Sequence, residues 1–294
     1  MQKKRNRIGI MSGRLSLPIG KQIQAFPQYS WKEEFAKASN YGFELIEWIF
    51  DLYEKNPILD DIGIKEIKSL SQKYEIRVNS ICADYFMEKM LFNVTNFELE
   101  QNLKVLKELI KKCYELEIEI LEIPLVDSSS LKNKNTEEQL VINLQKILPI
   151  CEENNVKLTL ETDLPPHSFK ELLSRFNTAN IKANYDTGNS AASGYDLKEE
   201  LTILSPWIAN IHIKDRKLHG DTVPLGTGDT NFDMFFSTIR QINYNGDLII
   251  QGAREFNDLG VKPEVTCRKY LLFVKQYVDK YLSYNKIEYQ EKKK

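Results

Sequence analysis

The chain has 294 residues, of which 42% are hydrophobic and 28% charged, which is enough material for one large core or two small domains. Forty basic and 42 acidic side chains leave a formal charge of -2. This balance argues against a wide surface for nucleic-acid phosphates or anionic lipid, so we expect neither nucleic acid nor a membrane as a partner.

The cysteines and the two ends of the chain indicate the compartment. Four cysteines lie far apart and form no C-x-x-C pair, which favours a reducing cytoplasm. The apolar run at 8–11 is too short for a signal peptide, and no window approaches the ~20 apolar residues that span a bilayer. We therefore predict a soluble, cytoplasmic protein with one domain over residues 1–283 and a solvated tail over 284–294.

Strand-like and helix-like patterns alternate along the chain. Apolar runs predict eight strands, at 7–13, 43–50, 76–84, 118–125, 156–163, 181–186, 208–215 and 246–253. Amphipathic segments predict helices starting at Ser30, then over about 60–73, 96–115, 136–154 and 168–176, then near Asp196, and over 231–243 and 263–281. The segments beginning at Ser30 and Thr136 both have the form of a capping box.

This regular alternation is typical of one closed parallel barrel. Eight βα units in a chain of this length predict an α/β protein with a (β/α)8 TIM barrel in a single domain. An open Rossmann sheet is less favoured, because no glycine-rich dinucleotide motif follows the first strand.

Polar side chains stand at the ends of four consecutive strands. These side chains are Glu161, Asp186, His212 and Gln251, on strands five to eight. The carboxyl ends of barrel strands meet at one mouth, so two carboxylates, an imidazole and an amide oxygen would converge there. That set suits one divalent metal ion, namely Mn²⁺, Mg²⁺, Co²⁺ or Zn²⁺. The alternative is that these polar groups merely satisfy one another.

Four segments together resemble a known family. They are 160–166 (LETDLPP), 184–189 (NYDTGN), 211–215 (IHIKD) and 223–228 (VPLGTG). In this order they look like the xylose isomerase-like barrel superfamily, nearest its sugar phosphate isomerase/epimerase group, which includes L-ribulose-5-phosphate 3-epimerases. The resemblance implies that Glu161, Asp186, His212 and Gln251 are the metal ligands and that Glu161 is also a catalytic carboxylate.

Position 251 departs from that family, whose epimerases usually have glutamate there as a ligand and second acid/base. An amide can bind a metal through oxygen but cannot move a proton, so Gln251 weakens a simple two-carboxylate epimerase mechanism. Isomerisation between aldose and ketose needs only one carboxylate, such as Glu161. If a second group is needed, Glu47 and Glu122 have inward parity, and Lys214 would stabilise developing negative charge.

Charged and aromatic residues near the mouth of the barrel are the candidates for substrate binding. We expect Arg14, Glu122, Arg216 and Arg254 to contact the substrate, and whether it is phosphorylated stays open. Trp48, Tyr85 and Phe86 are candidates to cover the apolar face of a sugar, although ordinary packing explains them equally well.

The sequence predicts a metal-dependent isomerase or epimerase of a small sugar or sugar phosphate that acts through an enediolate. A lyase or dehydratase acting on a keto-inositol or sugar acid, and a non-catalytic sugar-binding barrel, are the alternatives. A DNA-repair endonuclease of the same superfamily would need a three-zinc cluster, which three histidines do not supply. Assembly into a homo-oligomer is left open.

Overall fold

The computed structural model describes residues 6–20, 22–255 and 262–283. Its strands are β1 (Ile8–Met11), β2 (Leu45–Ile49), β3 (Arg77–Cys82), β4 (Ile120–Leu125), β5 (Lys157–Thr162), β6 (Ile181–Asp186), β7 (Ile208–Ile213) and β8 (Asp247–Ile250). Its α-helices are α1 (Trp31–Tyr41), α2 (Asp61–Tyr74), α3 (Tyr85–Glu88), α4 (Asn96–Leu116), α5 (Lys134–Gln145), α6 (Leu148–Glu153), α7 (Pro166–Ser174), α8 (Thr187–Ser193), α9 (Leu197–Leu204), α10 (Phe232–Gln241) and α11 (Pro263–Tyr277). Short 3₁₀ turns lie at Pro57–Leu59 and Asp127–Ser129, and a π-helical turn, Val278–Leu282, extends α11.

The eight strands form a closed parallel barrel in sequence order, with β1 paired to both β2 and β8. The predicted (β/α)8 barrel is thus confirmed. Parallel strands with helices over their outer face are buried on both sides, which explains why the strands read as almost continuous apolar runs. The predicted tail over 284–294 lies outside the described residues, and the predicted domain limits stay predictions.

Both predicted capping boxes were wrong, although α1 does begin after Ser30 as predicted. The Ser30 side chain makes no capping hydrogen bond to α1, because its hydroxyl donates to Ser16 Oγ at 2.8 Å instead. The capping box of α5 is formed by Asn133 with Thr136 as its third helical residue, so that helix begins earlier than predicted.

The single helix predicted over 136–154 is two helices, α5 and α6. Pro149 lies in the first turn of α6. A proline lacks the backbone donor and collides with the carbonyl four residues earlier, so α5 cannot continue through it.

Two short helices directly after strands were not predicted. Helix α3 follows β3, and α8 follows β6. The Asp186 side chain caps α8 by accepting the backbone N–H of Asn189 at 2.8 Å. A residue at the end of a barrel strand therefore also fixes the start of the following helix, which positions Asn189 at the mouth.

The described helices include none that is both long enough and apolar enough to cross a bilayer. Instead, their apolar faces pack on the outside of the barrel in a continuous core that includes Trp48, Phe35 and Phe235.

Candidate metal centre and active site

The four predicted ligands lie at the same end of the barrel. Glu161, Asp186 and His212 are on β5, β6 and β7, and Gln251 follows β8 directly. All four are buried. The register pairs Asp186 with His212 on neighbouring strands, so their side chains point into the same space.

The His212 imidazole has acidic neighbours on both of its nitrogen atoms. Its Nδ1 lies 3.4 Å from Glu161 Oε2 and 3.9 Å from Asp186 Oδ2. Its Nε2 lies 2.6 Å from Glu47 Oε1 and 3.0 Å from Glu122 Oε2. Among the described residues, two groups have ligand atoms close enough together to hold an ion. One consists of Glu161, Asp186 and His212, and the other of Glu47, Glu122 and His212.

The hydrogen bonds around the ring distinguish the two groups. Glu47 Oε2 accepts from Ser80 Oγ at 2.6 Å and Asn210 Nδ2 at 2.8 Å, while Oε1 is in hydrogen-bond contact with His212 Nε2. On the other side, Asn184 Nδ2 lies 3.1 Å from Nδ1. In the neutral ring, Nε2–H therefore donates to Glu47 and Nδ1 accepts, which turns the ligand lone pair towards Glu161 and Asp186.

Several buried oxygen atoms of the described residues at this end of the barrel have no hydrogen-bond partner, and they include both oxygens of Glu122 near Nε2. Within the described parts of the chain, Asp186 Oδ2 and Gln251 Oε1 are buried without a hydrogen-bond partner. Gln251 Nε2 donates to Gln24 Oε1 at 3.0 Å, which leaves the amide oxygen as the free end. Buried oxygen atoms without partners are costly, and a cation would satisfy them, so the donor set fits one divalent ion.

The charges in this cluster perturb its pKa values. Burial lowers the pKa of His212, but the carboxylates of Glu122 and Glu47 outweigh burial and raise it well above its ordinary value. Burial also raises the pKa of Glu122 well above the usual range. For Glu161, burial is outweighed by the hydrogen bond and charge of His212, which lower its pKa to about 2. Glu161 is thus ionised at neutral pH beside the protonated ring, whereas the neutral ring described above is the form that could bind an ion.

Asn189 links Glu161 to two cations at the mouth. Its Nδ2 donates to Glu161 Oε1 at 2.5 Å, while its Oδ1 accepts from Arg216 at 2.9 Å and from Lys214 at 3.4 Å. The Lys214 ammonium also lies 3.5 Å from Asp186 Oδ2. The structure therefore brings Lys214 and Arg216 beside the predicted ligands. Asn189 itself was not identified as a site residue, although it ends the NYDTGN motif.

The other two predicted substrate arginines hold the segment that follows β1. Arg254 donates to the carbonyls of Gly13, Ser16 and Ile23. Gly13 has φ of +82°, and a Cβ there would lie 2.6 Å from a carbonyl of the same segment. Arg14 donates to Ile23 O at 2.7 Å and to Gln24 Oε1 at 3.2 Å. Both guanidinium groups line a cavity of about 120 Å³ beside β8, and their contact with substrate stays a prediction.

The predicted aromatic residues belong largely to the core. Trp48 is buried, donates to Asn56 Oδ1 at 2.8 Å and packs 4.9 Å from the Phe26 ring. Phe86 is also buried, whereas Tyr85 is partly exposed. Ordinary packing accounts for Trp48 and Phe86.

A further carboxyl group at the mouth was missed. Asp84 Oδ2 accepts from Gln24 Nε2 at 2.7 Å, and its Oδ1 lies 3.2 Å from the Cys82 thiol. Burial chiefly raises the pKa of Asp84 to about 6. Gln24 lies in a long loop, so no strand parity in the sequence indicated this pairing.

The structure is thus a closed parallel α/β barrel with a buried cluster of carboxylates and a histidine, close enough to hold an ion, at the carboxyl ends of its strands. Comparison of the sequence gives the family. Residues 35–263 match the xylose isomerase-like TIM barrel family, and the chain belongs to this family.

Named relatives of the chain are sugar epimerases. It is 24% identical over 277 residues to a putative L-ribulose-5-phosphate 3-epimerase of Haemophilus influenzae, covering 86% of this chain and 95% of the relative. The D-psicose 3-epimerase of Clostridium cellulolyticum H10, solved with D-tagatose, is similar in fold, with a TM-score of 0.74 and 14% identity over 92% of this chain and 99% of that one. The IolI protein with a bound zinc atom has a TM-score of 0.75 and 17% identity over 94% and 95% of the two chains.

Proposed function

We propose that the protein is a divalent-metal-dependent isomerase or epimerase of a small sugar or sugar phosphate. One observation carries the proposal: the oriented Glu161 carboxylate lies 3.4 Å from His212 Nδ1, at the same end of the barrel as Asp186 and Gln251, each of which has a buried oxygen without a hydrogen-bond partner. The relatives named as L-ribulose-5-phosphate 3-epimerases support the substrate class.

Glu161, Asp186, His212 and Gln251 would hold the ion. When bound, such a cation polarises the carbonyl and hydroxyl oxygens of a ketose or aldose and stabilises an enediolate. The zinc-bound IolI neighbour supports a divalent metal in this fold.

Glu161 is the group that removes a proton from the sugar carbon. Asn184 Nδ2 donates to its Oε2 at 2.9 Å, and Asn189 Nδ2 donates to its Oε1. With one donor on each oxygen, the carboxylate has a fixed orientation, which is what proton transfer at a defined carbon requires.

Lys214 and Arg216 place positive charge on the same side of the mouth. Both donate hydrogen bonds to Asn189 Oδ1, and Lys214 is only partly buried. They can stabilise the negative charge of the enediolate or of a phosphate group. Glu47 and Glu122 contact Nε2 of His212, on the side of the ring away from Glu161, which supports a role in fixing the orientation of the ring.

A non-catalytic sugar-binding barrel is the second candidate, and Gln251 is the observation that favours it. The amide binds an ion through its free oxygen but transfers no proton. A protein of this kind would bind metal and sugar without exchanging any carbon-bound hydrogen.

Hydrogen exchange in D₂O tests the proposal. The metal-loaded protein is incubated with L-ribulose 5-phosphate, L-ribulose, D-tagatose and D-allulose, and deuterium at each carbon is followed by NMR. We expect deuterium at one carbon with the wild type and loss of at least ~100-fold with Glu161→Gln. Glu137→Gln, a buried glutamate on α5, is the matched control and should behave as wild type. Metal binding without exchange on any sugar would favour the binding protein.

A further inference from the structure

A hydrogen-bonded chain of side chains joins the segments that follow β8, β1 and β3 at the barrel mouth. By strand order, β1 to β3 lie across the barrel from β5 to β7. Gln251 Nε2 donates to Gln24 Oε1 at 3.0 Å, and Gln24 Nε2 donates to Asp84 Oδ2 at 2.7 Å. The Cys82 thiol donates to Asp84 Oδ1 at 3.2 Å. One amide of the loop thus joins the end of β8 to a carboxyl group just beyond β3.

The position of Asp84 follows from the parity of β3. Ser80 points into the barrel, since its hydroxyl donates to Glu47, and Cys82 continues on that face. Asp84 is two residues further on and bonds to the Cys82 thiol, so its carboxyl group lies above the inward face at the rim. It is held there by two partners, and the residue is partly exposed.

Interconversion of two epimers needs proton transfer on both faces of one carbon. Glu161 serves one face, and Gln251 has no proton to give or take. Burial is the main cause that raises the pKa of Asp84 to about 6, and the charge of Glu161 adds to it. A carboxyl group with this pKa exchanges its proton readily near neutral pH.

We propose that Asp84 is the second proton-transfer group of this site and delivers a proton to the face of the enediolate carbon opposite Glu161. This assignment rests on the proposed function and narrows it from isomerase or epimerase to epimerase. Gln24 orients Asp84 through its amide and also holds Gln251 with its oxygen free.

The proton balance is simple and involves no oxidation. The Glu161 carboxylate takes the C–H proton, and the electron pair of that bond enters the enediolate. The Asp84 O–H bond then breaks, and its proton joins the same carbon from the other face with an electron pair of the enediolate. Glu161 ends protonated and Asp84 ionised, and one proton exchanged with water at each group restores the starting state.

Asp51, beyond the end of β2, is the nearest rival. Its Oδ2 accepts the backbone N–H of Phe26 at 2.9 Å, so it holds the loop main chain. Asp84 is preferred because it is bonded into the chain that reaches Gln251, and because the Glu161 charge acts on it.

The test compares Asp84→Asn, Asp51→Asn and Glu161→Gln in D₂O, with L-ribulose 5-phosphate, L-ribulose, D-tagatose and D-allulose as probes. Two products are measured separately: deuterium in the recovered sugar and the amount of its epimer. We expect Asp84→Asn to keep Glu161-dependent exchange while epimer formation falls by about 10²- to 10⁴-fold. Asp51→Asn should keep both. Retained exchange also shows that the Asp84→Asn site is folded, and Asp84→Glu should recover part of the epimer yield.

Each other outcome has a definite meaning. Epimer at the wild-type rate from Asp84→Asn, or loss of epimer from Asp51→Asn alone, overturns the assignment of Asp84. Equal loss of exchange and epimer in Asp84→Asn also overturns it, because a positioning role would act on both. A wild type that exchanges and isomerises but never epimerises overturns it while leaving the proposed function in place. A wild type without any exchange overturns the proposed function and this assignment with it.

Discussion

Replacing Glu47 with glutamine should weaken metal binding, although Glu47 is not one of the four proposed ligands. The carboxylate accepts three hydrogen bonds, two on Oε2 from Ser80 and Asn210, and one on Oε1 from His212 Nε2. A glutamine side chain has only one oxygen. If that oxygen accepts the hydrogen bonds from Ser80 and Asn210, the NH₂ group faces His212 Nε2. Two donors cannot face each other at 2.6 Å, so the ring must carry its proton on Nδ1 instead.

A proton on Nδ1 occupies the position that the cation needs. Loss of a partner that orients a ligating histidine typically costs 10- to 100-fold in metal affinity, or about 1.4 to 2.7 kcal/mol. We expect a loss in this range, since Glu47→Gln disturbs the tautomer but leaves Glu161, Asp186 and Gln251 in place.

Calorimetric titration with Mn²⁺ and Zn²⁺ measures the affinity, and ¹⁵N NMR of the histidine rings reads the tautomer. His167 and His219 are exposed, so the buried ring is distinguishable. Glu137→Gln serves as the control for replacing a buried glutamate. The reasoning is refuted if Glu47→Gln binds metal as the wild type does. If Glu47→Gln abolishes binding and Glu161→Gln does not, the ion belongs on the Nε2 side, with Glu47 and Glu122.

Three further outcomes are expected. Metal affinity should fall roughly tenfold for each pH unit below the raised pKa of His212, because a proton competes with the ion for Nδ1. Metal titrations at several pH values measure this, and an affinity independent of pH would contradict it. Glu34→Gln should lower the unfolding free energy by about 1–3 kcal/mol in urea melts, since its two oxygens accept the N–H groups of Gly13 and Leu15 and an amide can satisfy only one. Burial chiefly raises the pKa of Glu34 to about 7, so the folded state keeps a proton that the unfolded chain releases above about 4.5. As the pH rises from about 4.5 to about 7, the unfolding free energy of the wild type should therefore decline through Glu34, and this decline should be absent in Glu34→Gln. Asp215→Ala should expose residues 216–230 to proteolysis, because the Asp215 carboxylate accepts the N–H groups of three residues of this loop; unchanged cleavage would contradict this.

The barrel, and the convergence of the candidate ligands at one end of it, could be predicted from the sequence because both depend on local periodicity. Each buried strand reads as an apolar run, and polar residues at the downstream end of a run interrupt it visibly. Glu161, Asp186 and His212 were singled out in this way, and the structure pairs Asp186 with His212 on neighbouring strands.

The rest of the site depends on contacts between distant segments. The sequence indicated that Glu47 and Glu122 point inwards, but not that both would lie on His212 Nε2 rather than Nδ1. That choice is set by a ring orientation, which strand parity does not determine. Gln24 was missed because it lies in a loop without periodicity. Asp84 ends a predicted strand, but its pairing with Gln24 depends on that loop and was therefore missed as well.

The loop after β1 and the segment after β8 meet at the mouth, and this has a consequence for the order of folding. Arg254 donates to the carbonyl groups of Gly13, Ser16 and Ile23, across more than 230 residues of sequence. During synthesis, the loop after β1 emerges early, but its anchor emerges only with the end of β8. Gln24 can therefore bridge Gln251 and Asp84 only after nearly all of the chain has been made, so the mouth is completed last, after the candidate ligands on β5, β6 and β7 are available.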